Sequence, residues 1–322
     1  MREVTHGTAE LAHRAAITVQ TGAMRTTRMS LLSMLAIAGC TGSDDGLGWM
    51  GKIADTRALA ELSIPGTHDS GARFEPYPGL SKCQSMTIAE QLAAGVRSFD
   101  IRCRNFQDQF LIYHGAIDQN QLFDEVLATL FGFLDAHPTE TVIVSIKEES
   151  DPSGATLPFD QRFASYVAQA PQRWYLGPSV PRLGDARGKL VLLRRFASSA
   201  TPLGIDAAPW ADNATFSIGN GDAALRIEDN YVVTDNHSKW TAITDLLAEV
   251  RGGDPATLFL TYTSGFQTMS GLPNITSVSD DINPRLDAWL ADPPNAQART
   301  GVVVLDFVTA ARAHAIIATN TP

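Results

Sequence analysis

His68 and Asp69 close the run Ser63-Ile64-Pro65-Gly66-Thr67, Arg102 ends Phe99-Asp100-Ile101, and His114 ends Ile112-Tyr113. Further along, Lys147 closes an apolar run at 141–147, Arg195 one at 189–196, Asp229 lies just past 225–227, and Asp306 falls in 302–307. Two imidazoles with carboxylate partners and a guanidinium suit phosphodiester cleavage by general acid–base chemistry. One imidazole takes a proton from an attacking hydroxyl, and the other gives one to the leaving oxygen. The guanidinium pairs with two phosphate oxygens and stabilises their charge. Other chemistries lack their parts: there is no glycine-rich phosphate loop before a helix, no Ser or Cys in a nucleophile elbow, and no HExxH or other close zinc-ligand cluster. A metal-free, cofactor-free site is therefore expected. A single His or Arg at a strand end more often makes an ordinary packing or ion-pair contact. The joint placement of these residues at strand ends is what packing alone does not explain.

The elements that would position them alternate in type. Runs with β character lie at Leu62–Ile64, Val96–Arg102, Phe110–Tyr113, Thr141–Lys147, Lys189–Phe196, Leu225–Ile227, Leu258–Tyr262 and Val302–Phe307. Helical patterns fall between them at Thr87–Ala94, Leu122–His137, Phe159–Ala170, Thr241–Val250 and Pro284–Ala291. Leu122, Val126, Leu130 and Leu134 recur every four residues and so share one helical face. Eight strands with intervening helices predict an α/β fold, a single-domain TIM barrel whose strand C-termini converge on one mouth. Residues 105–109 are too short for a crossover helix, so the second and third strands should meet in a tight turn and the barrel should be irregular.

The chain has 322 residues and a net charge of −10. Arg25 and Arg28 precede the apolar run Met29–Gly39, which ends at Cys40, and Ile37-Ala38-Gly39-Cys40 is similar to a bacterial lipobox. Basic, apolar and small-residue segments in that order mark an export leader. The expected organisation is a leader over 1–40 with Cys40 as lipidation candidate, a linker over 41–50 and a barrel over 51–322. Localisation would be extracellular or lipid-anchored to the cell envelope. Without residues 1–39 the chain loses four basic and two acidic residues, leaving −12. Such a surface disfavours nucleic acid and strong adhesion to anionic membranes. In an exported protein Cys83 and Cys103 are a disulfide candidate. Between Ser264 and Pro273, Phe266, Met269 and Leu272 stand among Gly and Ser, an expected apolar rim for transient membrane contact.

The runs IPGTHDSGA, QLAAGVRSFDIRCR, IYHG, DAHPTETVIVSIKEE, LGDARGKLVLLRRF and VVVLDF, in that order, resemble the X-domain of bacterial phosphatidylinositol-specific phospholipases C. The likeness spans Leu59 to Phe307. It implies an irregular TIM barrel that cleaves phosphatidylinositol, in membranes or micelles, by attack of the inositol 2-hydroxyl on phosphorus. The products would be diacylglycerol and inositol 1,2-cyclic phosphate. By this resemblance His68 is the general base oriented by Asp306, His114 is the general acid partnered by Asp69, and Arg102 binds the phosphate where related enzymes hold calcium. Lys147, Arg195, Asp229 and Tyr231 would meet the inositol hydroxyls. The protein is expected to act as a monomer. Two other readings compete: a metal-dependent glycerophosphodiester phosphodiesterase and a catalytically silent inositol-lipid-binding module.

Overall fold

The computed structural model describes residues 46–320. In chain order the strands are β1 Ile64–Thr67, β2 Ser98–Phe106, β3 Gln109–His114, β4 Ile117–Leu122, β5 Val142–Ser153, β6 Trp174–Tyr175, β7 Leu190–Arg195 and β8 Ile205–Asp206. They continue as β9 Ala214–Gly219, β10 Ala224–Asp229, β11 Thr257–Tyr262, β12 Gln267–Met269, β13 Leu272–Asn274 and β14 Val302–Leu305. The helices are α1 Ile88–Ala93, α2 Phe123–Ala136, α3 Phe159–Gln169, α4 Leu183–Ala186, α5 Asn236–Gly252, α6 Thr276–Ala291 and α7 Ala310–Ala318. One 12-stranded sheet runs β6-β7-β5-β2-β1-β14-β11-β10-β9, with β3, β4 and β8 branching from it. Neighbours from β7 through β10 along this path pair in parallel, whereas β9 is antiparallel to β10. Among the described residues the path does not close on itself, so the barrel is irregular as expected.

Side-chain alternation builds two cores from one sheet. Val142, Val144, Leu190 and Leu192 join the layer packed against α2 and α3. Their neighbours Ile143, Val191 and Leu193 join the barrel interior with Ile64, Leu258, Leu260, Val302 and Val304. Each inward row is apolar low in the barrel and turns polar at the strand's C-terminal end: Ile64-Gly66-His68, Val191-Leu193-Arg195 and Val302-Val304-Asp306. The hydrophobic interior thus lifts the charged side chains to the mouth, where they can stay partly hydrated.

Three expectations change. The third β-like run is not a barrel strand: β3 is antiparallel to β2. Gln107 and Asp108 make the turn at φ 50° and 59°, the left-handed pair of a two-residue hairpin. The helix expected at Pro284–Ala291 is α6, which starts at Thr276 and carries Pro284 inside it, and α7 was not expected. Residues 46–50, expected within a linker, pack on the floor of the barrel. Trp49 and Met50 are buried there, and Trp49 Nε1 donates to the Gly95 carbonyl at 3.0 Å. Arg97 and Glu140, both fully buried, pair at 2.9 Å beside them. Arg97 also donates to the carbonyls of Gly46 and Leu47, and Glu140 accepts from the N–H groups of Met50 and Gly51. α2 buries Phe123, Val126, Leu127, Leu130 and Leu134; of the four residues read from the periodicity, Val126, Leu130 and Leu134 lie on this face, whereas Leu122 precedes the helix and is half-buried. No helix among the described residues is long and apolar enough to cross a membrane.

Candidate active site

His68 follows β1 and Asp306 follows β14. Because β1 and β14 are adjacent parallel strands, both side chains reach the same level, and His68 Nδ1 lies 2.8 Å from Asp306 Oδ1. A carboxylate at that distance makes Nδ1 the donor and leaves Nε2 bare toward the cleft. Burial opposes charge on His68, but Asp306 outweighs it and the pKa is raised. Gln84 donates from its side-chain nitrogen to the carbonyls of His68 and Leu305, tying the two strand ends together. The residues next to the dyad, Asp69 and Phe307, have φ of 39° and 48°, left-handed conformations that bulky side chains rarely adopt.

Asp100 and Arg102 share the inward row of β2. Arg102 Nε donates to Asp100 at 3.0 Å, and its Nη1 lies 3.5 Å from both Asp69 and Glu149. Burial works against this guanidinium's charge, and Asp100, Glu149 and Asp69 hold it charged. Asp100 overcomes its own burial through Arg102 and Arg195 and is held far below the usual carboxylate range.

His114 reaches the mouth because β3 folds back along β2. Its Nδ1 lies 2.9 Å from the Ser81 carbonyl, which can only accept, so Nδ1 carries the proton. Its Nε2 faces Asp69 Oδ2 at 3.7 Å, and its ring meets that of His68 edge-on with centroids 6.4 Å apart. Burial, then Arg102 and His68, lower its pKa to about 4. Asp69 is fully buried, neither carboxylate oxygen has a hydrogen-bond partner, and burial pushes its pKa strongly upward.

Lys147 pairs with Glu149 at 2.7 Å. Arg195 lies 3.4 Å from Asp100 and 4.0 Å from Asp229, with its guanidinium 3.8 Å from the centre of the Trp210 ring. Asp229 accepts from Trp210 Nε1 at 2.9 Å, and Tyr231 donates to Asp212 at 2.6 Å. His68, Arg102, His114, Lys147, Arg195, Asp229 and Tyr231 line one cleft of about 560 Å³. Asp69 and Asp306 lie beneath its wall. Sequence reading missed Asp100 and Glu149, although each sits two residues from a named cation in the same inward row. Trp210 and Asp212 carry no periodic signal at all.

The cysteines are corrected: Cys83 and Cys103 are both free and buried. Cys103 packs among β2, β3 and helix side chains, whereas Cys83 lies in a separate cluster with Ala72 and Ile275. Cys40 lies outside the described residues. Phe266 also turns inward, against that Cys83 cluster, while Met269 and Leu272 are exposed.

Residues 77–196, which include Arg102, His114, Lys147 and Arg195, match the family described as "Phosphatidylinositol-specific phospholipase C, X domain". The chain belongs to the bacterial phosphatidylinositol-specific phospholipases C, a family of TIM-barrel enzymes. It is 31% identical over 276 residues to the 1-phosphatidylinositol phosphodiesterase of Staphylococcus aureus strain Newman, covering 80% of this chain and 87% of that one. The enzyme of the same name from Listeria monocytogenes is 29% identical over 275 residues, 80% of each chain. Among solved structures, a single-site mutant of the S. aureus phosphatidylinositol-specific phospholipase C superposes with a TM-score of 0.78 at 28% identity, covering 86% of this chain and 97% of that one. The L. monocytogenes phospholipase C gives 0.71 at 26% identity, covering 86% and 100%.

Proposed function

We propose that the protein cleaves phosphatidylinositol by intramolecular attack of the inositol 2-hydroxyl on phosphorus, releasing diacylglycerol and inositol 1,2-cyclic phosphate. His68 Nε2 takes the hydroxyl proton as the new P–O bond forms, and Asp306 holds the ring and stabilises the imidazolium. Arg102 meets the phosphate oxygens. A guanidinium already charged and held by the carboxylates of Asp100 and Glu149 supplies there the positive charge that a cation would supply. The bond to the diacylglycerol oxygen breaks as His114 Nε2 delivers a proton to it.

His114 is neutral at ordinary pH with Nε2 bare, so its proton must come from a neighbour. Asp69, raised by burial and facing that nitrogen, is the natural donor, and the pair acts as one acid carrying one proton. Lys147, Arg195, Asp229 and Tyr231 bind the inositol hydroxyls, with Trp210 packing below Arg195. The observation that carries this reading is the pair of imidazoles in one cleft with Arg102, His68 held through Nδ1 by a carboxylate at 2.8 Å and His114 facing the buried Asp69 carboxyl across its Nε2 at 3.7 Å.

Met269 and Leu272 stand exposed on the β12–β13 hairpin, joined by Tyr77 and Val232 on neighbouring segments. Pro273 and Phe266 continue this rim into the cleft wall. The rim makes transient contact with the membrane that holds the substrate. We further infer export, with residues 1–40 as leader, a short connecting stretch after it and the barrel unit beginning at residue 46, where the chain packs on the barrel floor, and action as a monomer. Phosphorus NMR of the purified protein with phosphatidylinositol micelles, with and without chelator, tests the reaction. A cyclic phosphate signal is expected in both. Its absence, or strict dependence on added calcium, would overturn the mechanism.

A further inference from the structure

Cys83 occupies a position between the two dyads that neither of them uses. Its backbone N–H donates to the Ala72 carbonyl at 2.9 Å and its carbonyl accepts from Phe307 N–H at 2.7 Å. The residue is thereby clamped between the segments that follow β1 and β14. The buried sulfur lies within 4.8 Å of ligating atoms on both sides, Asp69 and His114 on one and His68 and Asp306 on the other. On the second side the nitrogen and oxygen are already bound to each other at 2.8 Å. On the first side they are not.

His114 Nε2 presents a lone pair, because its Nδ1–H is committed to Ser81. Asp69 is fully buried with both oxygens free of hydrogen bonds, and Oδ2 stands 3.7 Å from that lone pair. Three Lewis bases, one each of sulfur, nitrogen and oxygen, therefore converge on one small volume. Imidazole, thiolate and carboxylate are the donor set of zinc and its thiophilic relatives, not of calcium or magnesium. Arg102, 3.5 Å from Asp69, opposes a cation there, but Asp100 and Glu149 offset its charge.

We propose that Asp69, Cys83 and His114 form a site for a thiophilic divalent cation such as zinc, and that filling it inhibits the enzyme. The ion enters past His114, which lines the cleft. The S–H proton of Cys83 and the proton shared by Asp69 and His114 leave to solvent as the S–metal, O–metal and N–metal bonds form. His114 then has no lone pair to carry a proton to the leaving oxygen. The inhibition rests on the role given to His114 above, whereas the binding does not.

The test uses the full chain, freed of metal with chelator and then dialysed. Cobalt(II), as a spectroscopic stand-in for zinc, should produce a thiolate-to-metal charge-transfer band in the near ultraviolet. Cys83→Ser and Cys83→Ala should both abolish the band, turn over phosphatidylinositol like the parent in chelator, and need at least about tenfold more zinc for half-inhibition. His114→Ala should weaken the band and His68→Ala should keep it. A parent protein without the band, equal zinc sensitivity in parent and Cys83 variants, or loss of the band with His68→Ala but not His114→Ala would overturn the assignment. A protein inactive on phosphatidylinositol that still shows the Cys83-dependent band would sink the catalytic reading alone.

Discussion

His114 Nε2 and Asp69 Oδ2 face each other across 3.7 Å, beyond hydrogen-bond length, with nothing donating to either atom. His68 and Asp306, at 2.8 Å, are already joined. The two imidazoles differ in how a carboxyl meets them: Asp306 holds the Nδ1–H of His68, whereas Asp69 faces the bare Nε2 of His114 and can supply it with a proton.

His68→Ala and His114→Ala should each lower kcat by roughly 10²–10⁴-fold while leaving circular dichroism and melting behaviour unchanged. Near-parental turnover in either folded variant would remove that imidazole from the mechanism.

The pH profile follows from the sign of each shift. His68 is raised, so it stays protonated, and useless as a base, to a higher pH than an ordinary histidine. The acid limb of kcat/KM should lie above the free-histidine value of about 6.5. Asp306→Asn removes the carboxylate that raises it and should move that limb downward. The alkaline limb should reflect loss of the proton shared by Asp69 and His114 and should disappear in His114→Ala. An acid limb unmoved in Asp306→Asn would separate His68 from Asp306.

Arg102→Lys keeps the charge but loses the planar fork, and should cost about 10²-fold in kcat. Activity should survive excess chelator in both parent and variant. A variant rescued by calcium would show that the cleft accepts a hard cation when the guanidinium is gone.

Exchanging both Met269 and Leu272 for Ser should weaken binding to phosphatidylinositol vesicles, since each fully inserted side chain contributes about 1.5–3 kcal/mol. Hydrolysis of soluble inositol cyclic phosphate should persist. Equal loss on both substrates would mean that the hairpin supports the cleft and not the membrane contact.

Glu140→Gln should lower the unfolding free energy by about 3–5 kcal/mol in urea titrations, because Arg97 would be left charged and unpaired in a fully buried place. Turnover per folded molecule should not change, as the pair lies at the opposite end of the strands from the cleft.

Much of the cleft was legible because β-strands alternate strictly. Once His68, Arg102, Lys147, Arg195 and Asp306 are placed at the ends of parallel runs, the period of two points them all inward. His114 reaches the same mouth by a route that periodicity does not report, since an antiparallel return strand and a parallel one have the same apolar pattern. The separation of Cys83 from Cys103 was hidden for a related reason: redox compartment and spacing say nothing about which face of which segment a thiol occupies. Trp210 and Asp212 were invisible because they sit in an irregular segment whose conformation is set by tertiary contacts.

Arg97 and Glu140 have a consequence that reaches past stability. By gripping residues 46–51 they make the floor of the barrel the point at which the preceding chain attaches. Were the chain held upstream of residue 46, the pull would fall on that floor, the end of the strands opposite the cleft.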